Sequence, residues 1–120
     1  MVMPTLITAK RTRGAWTADI SGYGVLPVVH STLWDTSTQA YHSLYTQEDA
    51  DGAKLAALLK AFADAPDTVL MQKDKPRLSE DDALEADGYV GVFRIKDFIW
   101  DEDARTLDFS VVSRENVRFK

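Results

Sequence analysis

Apolar residues recur along this chain with two different periods. Most of the chain follows the two-residue period of a strand, in which alternate side chains face the same side. Thr5–Ala9 and Ala15–Ile20 read as short strands separated by an Arg13-Gly14 turn, and Ser21–Gly24 supplies the next turn. Val25–Trp34 is rich in β-branched residues, and Ala40–Tyr45 reads as its hairpin partner across Asp35–Thr38. Pro27 has no N–H to give to a ladder, which predicts an edge or a bulge for that run.

The period changes after residue 50. Leu55, Leu58, Leu59 and Phe62 recur at i, i+3, i+4 and i+7, the stripe of an amphipathic helix over about residues 50–65. Asp49 or Asp51 is placed to cap it, alanines favour it, and Pro66 ends it. Strand signals resume over Asp67–Lys73, Tyr89–Trp100 and Thr106–Val112, with Leu107, Phe109 and Val111 on one buried face. Between them Ser79-Glu80-Asp81-Asp82 predicts a short second helical turn over about 79–86, a serine cap followed by carboxylates at the positive helix end.

Strands joined mainly by short loops pair antiparallel, because parallel pairs need long crossovers. The expected fold is therefore α+β: a curved, mostly antiparallel sheet of about seven strands, packed against one main helix. A partly open barrel and a plain two-layer sandwich are its two versions. A length of 120 residues suits a single domain spanning 1–120, and 45% apolar content supplies a core.

Composition then narrows the chemistry. The chain has no cysteine, so disulfides, thiolate metal sites and thiol nucleophiles are excluded. Neither a signal-peptide pattern nor an apolar run near the ~18 residues of a membrane span occurs, which predicts a cytoplasmic protein with no membrane contact. The net charge of −5 comes mainly from residues 48–108, and no uniformly basic face is expected.

Motif by motif, catalysis finds little support. Gly22-Tyr23-Gly24 lacks the third glycine and following helix of a dinucleotide turn, and a hairpin turn explains it better. Asp49-Ala50-Asp51-Gly52 resembles the middle of a calcium loop, but Gln47 and Leu58 would occupy the first and last ligand positions. The acidic runs around Glu80–Asp87 and Asp101–Asp103 read as hydrated loops. No Gly-x-Ser-x-Gly elbow or phosphate-binding loop is present, and no cofactor is expected.

Two constellations remain. His30 and His42 would face each other if the hairpin pairs residues whose numbers sum to 72, making a metal site available for a small hydrolase. An odd sum would send the two rings to opposite faces. Lys73, Lys75 and Arg77 alternate along an extended segment, and Lys10, Arg11 and Arg13 form a second basic cluster, together a candidate anion or nucleic-acid site. The leading expectation is a non-catalytic binding or regulatory domain acting on a protein partner or on itself as a homodimer. A nucleic-acid or nucleotide binder and a metal-dependent hydrolase are the alternatives.

Overall fold

The computed structural model describes residues 3–11, 16–45, 52–74 and 86–120. Its strands are β1 (Thr5–Ile7), β2 (Ala9–Arg11), β3 (Thr17–Ile20), β4 (Gly24–His30), β5 (Trp34–Asp35), β6 (Ala40–Leu44), β7 (Thr68–Asp74), β8 (Ala86–Asp101), β9 (Thr106–Arg114) and β10 (Val117–Phe119). The helix α1 spans Gly52–Asp64. Eight strands form one sheet in the order β2-β3-β4-β7-β8-β9-β6-β5, mostly antiparallel and not closed into a barrel. β1 and β10 pair in parallel as a separate two-stranded sheet. The expected second helical turn over 79–86 lies outside the described residues, apart from Ala86, which begins β8.

The Val25–Trp34 run is not one strand. His30 ends β4, Ser31–Leu33 form a 3-10 turn, and Trp34 begins β5 at the far edge of the sheet. β4 instead lies inside the sheet, between β3 and β7. Pro27 is tolerated there because the following Val28 N–H donates to Trp16 C=O, so alternation turns the Pro27 nitrogen away from β3. On the other side β7 pairs only from Val28 onward, so no ladder bond is lost.

Both faces of the central strands are covered. Thr68–Gln72 is buried without interruption, the pattern of a strand with packing above and below. Leu55, Leu58 and Phe62 of α1 join Val29, Val69, Met71 and Phe93 on one face, together with Tyr41 and the expected Leu107, Phe109 and Val111. On the other face Val28, Leu70 and Val92 meet Ile7 of β1 and Val117 and Phe119 of β10. A bulge in β8 keeps its apolar residues in phase. Lys96 faces Ser110 but Ile99 faces Asp108, and Asp97 takes a left-handed φ of 58°. The extra residue turns Phe98 inward, where it stacks on Phe62 at 4.3 Å between centroids.

The sheet is curved enough to bring non-neighbouring strands together. Tyr41 of β6, 1% exposed, accepts a hydrogen bond from the His30 N–H at the end of β4. Its ring stacks on Phe109, with centroids 4.4 Å apart. No helix among the described residues is long and apolar enough to cross a membrane.

Two measurements check this packing. Leu58→Ala should cost about 2–5 kcal/mol in denaturant unfolding, as truncation of a fully buried leucine does. The half-exposed Leu59 should cost clearly less, and equal losses would contradict the orientation of α1. The second concerns alkali. Burial pushes the Tyr41 phenol far above its ordinary value, and burial followed by the Glu115 carboxylate raises Tyr23. The folded state thus holds these protons more tightly, so its stability is fully present below about pH 10 and falls as pH rises further. Tyr41→Phe should flatten that decline, and an unchanged slope would show that Tyr41 does not produce it.

Candidate functional site

β6 stops pairing with β9 at Ala40 opposite Ser110. Beyond that point Val111–Arg114 pairs with β8 on one side, Phe93 facing Arg114 and Arg94 facing Ser113. On the other side no strand among the described residues continues the ladder; only Val111 N–H is used, donating to Gln39 C=O at 2.8 Å. β9 also bulges here, because Ile95 faces Val111 while Arg94 faces Ser113. Beside this open edge runs a groove of about 350 Å3, lined by Trp34, Gln39, Val90, Phe93 and Val111–Arg114.

The groove is built from aromatic edges and one cation. Trp34 meets Phe93 edge to face at 5.1 Å, and its indole N–H donates to Gln39 Oε1. The Arg114 guanidinium lies 5.8 Å from the Phe93 ring centre and donates to Val90 C=O at 2.6 Å. Gly91 makes this possible: a Cβ there would sit 3.0 Å from Arg114 Nε. No carboxylate among the described residues pairs with Arg114, although the protein carries an acidic excess. Arg94, by contrast, is neutralised by Glu115 and Asp67, and the Glu115 carboxylate raises its already high pKa.

A second polar cluster stands at the carboxyl ends of β2, β4 and β7. These strands run in one direction, since β2 and β4 are each antiparallel to β3 and β4 is parallel to β7. The Asp74 side chain is 0% exposed. Thr32 Oγ1 donates to its Oδ2 at 3.1 Å, and Gln72 Nε2 donates to its Oδ1 at 2.8 Å. His30 Nδ1 lies 2.9 Å from the same Oδ1. Arg11 fixes the chemistry of this contact. A guanidinium only donates, so its bond to Gln72 Oε1 leaves the Gln72 NH2 facing Asp74. With that NH2 already a donor to Oδ1, His30 Nδ1 must carry a proton as well, because a lone pair there would face the carboxylate. The 3.0 Å approach of Gln72 Nε2 to His30 Nδ1 is therefore two donors converging on one oxygen.

The sequence-derived candidates fall unevenly on this frame. The hairpin takes the odd register, Trp34 facing Tyr41 and Asp35 facing Ala40, so the even pairing of His30 with His42 does not form. The 3-10 turn puts His30 before the bend and leaves it opposite Gln72. His42 is on the outer face of β6, its Nδ1 2.6 Å from Asp108 Oδ1, with both side chains open to solvent. Ala40, His42 and Leu44 lie on the exposed face of β6, and Tyr41 and Ser43 point inward. Among the described residues no three His, Asp or Glu side chains gather as a metal site would require.

Of the basic residues, Arg11 enters the Asp74 cluster, while Lys10 is exposed opposite Asp19. Lys73 is exposed on the face opposite Gln72 and Asp74. Arg13, Lys75 and Arg77 lie outside the described residues. Asp74, Gln72 and Thr32 escaped sequence reasoning, which followed the lysines of that alternation and not the residues between them. Arg114 and Gly91 escaped it too, because nothing local marks where a neighbouring strand ends.

No family model, no curated protein and no solved structure matches this chain.

Proposed function

We propose that this protein is a non-catalytic binding domain that takes up an extended segment of a partner protein along the open edge of β9. The observation that carries this reading is the coincidence of two features at Val111–Arg114: a strand edge without a ladder partner among the described residues and an apolar groove beside it. An extended peptide gains affinity there from main-chain hydrogen bonds and selectivity from the side chain that enters the groove. Arg114 defines the partner further. Held over Phe93 and unpaired with any described carboxylate, it favours a segment with an acidic residue next to an apolar or aromatic one.

Selection from a displayed library of random linear peptides tests this. Enriched sequences should join an apolar or aromatic residue to a carboxylate, and the synthetic peptides should shift the indole resonance of Trp34. N-methylation of alternate peptide nitrogens should abolish binding, since it removes the donors a strand must offer. Arg114→Glu should weaken binding about tenfold or more, the scale of a lost charge-assisted hydrogen bond. Gly91→Ala should also weaken it, because the new methyl displaces the guanidinium. Failure to enrich any peptide, or equal binding of N-methylated and unmodified peptides, would refute strand addition.

A further inference from the structure

The Asp74 cluster shares no residue with the groove, and its arrangement raises a separate question. Arg11 could neutralise a nearby carboxylate directly, yet the Gln72 amide stands between them. Arg11 donates to Gln72 Oε1, and Gln72 Nε2 donates on to Asp74. The guanidinium is thereby held in place without losing its charge to an ion pair. His30 is held in a similar way. Its Nδ1–H is committed to Asp74, which sets the ring orientation and leaves Nε2 as the working nitrogen.

Both remaining groups meet solvent. Among the described residues no partner contacts His30 Nε2 or the other nitrogens of Arg11, and no buried side-chain nitrogen or oxygen is left unpaired. These atoms are therefore exposed. They sit at the carboxyl ends of parallel strands, β4 and β7, with β2 alongside.

We infer that His30 Nε2 and Arg11 form a site for a small phosphate, either inorganic phosphate or the terminal group of a phosphomonoester. A tetrahedral oxyanion can present oxygens to two donors that do not lie in one plane. The guanidinium fork takes unprotonated oxygens. The imidazole nitrogen suits phosphate in either state: it donates when charged, and it accepts the phosphate's own O–H when neutral. Asp74 is a positioning residue, since its carboxylate is enclosed by Gln72, Thr32 and His30 and has no route to the ligand.

His42 supplies the control within the same molecule. It has the same Nδ1 contact to an aspartate, but no arginine is bonded into its dyad. The experiment is a titration of the intact protein with sodium phosphate at constant ionic strength, following the ring resonances of both histidines by NMR. His30 should shift saturably and His42 should not. Arg11→Gln should weaken the response about tenfold, and Arg11→Lys, which keeps the charge, should restore part of it. The indole resonances establish that each variant is folded. Adenosine monophosphate and an oligothymidylate serve as further arms: tighter binding of the monophosphate than of inorganic phosphate identifies a phosphomonoester ligand, and equal binding identifies inorganic phosphate. Joint movement of His30 and His42, an Arg11→Gln response equal to the parent, or binding of the oligothymidylate alone would overturn the proposal.

Discussion

Val28, Val29 and His30 run parallel to Leu70, Met71 and Gln72, and a parallel pair must be joined by chain that returns to the same end of the sheet. Here the return carries the 3-10 turn, β5, β6 and α1 before β7 begins. That route decides much of the remaining architecture. It buries β4 and β7 on both faces, which explains the unbroken buried run Thr68–Gln72 and the interior place of a proline-bearing strand. It also sends β5 and β6 to the opposite edge of the sheet, so that curvature has to bring Tyr41 back to the His30 amide.

The same pairing creates a problem at its carboxyl end. Strand alternation that puts Leu70 and Gln72 on one face puts Asp74 there too, and an unpaired charge buried in this way would be costly. Three donors answer it. Thr32 comes from the 3-10 turn, Gln72 from two residues upstream, and His30 from the parallel neighbour. The Thr32 bond requires the 3-10 turn, which brings a residue beyond the end of β4 back to Asp74. The turn that breaks the expected hairpin is thus the element that completes the carboxylate's shell.

What was legible in the sequence was what depends on local periodicity. The stripe Leu55, Leu58 and Phe62 and the alternation Leu107, Phe109 and Val111 each specify their own buried face, and the structure has both. Features set by the register between distant segments were not legible. Whether His30 meets His42 or Asp74 depends on a three-residue turn with no distinctive residues, and a one-residue change of register reverses every side chain. The bulge at Asp97 shows the same limit. Strict alternation from Ile95 would turn Asp97 inward, and only the packing of Phe98 on Phe62 reveals why the strand skips a residue.

Exposed strand edges are hazardous because unpaired amides and carbonyls invite other chains to add, and proteins commonly limit them to very short strands. This sheet obeys that rule at both ends: β2 has three residues and β5 has two. Val111–Arg114 is different. Among the described residues it is an internal strand left open on one side, because β6 pairs with β9 no further than Ala40 opposite Ser110. The apolar groove beside it and the exposed Val112 worsen the hazard. Arg114 and Glu115 place charge at the end of the edge, which discourages indiscriminate pairing while leaving the groove accessible. On the proposed reading, an edge so placed, charged at one end and beside an apolar groove, would discriminate among incoming strands, and that selectivity would separate a recognition surface from an aggregation site.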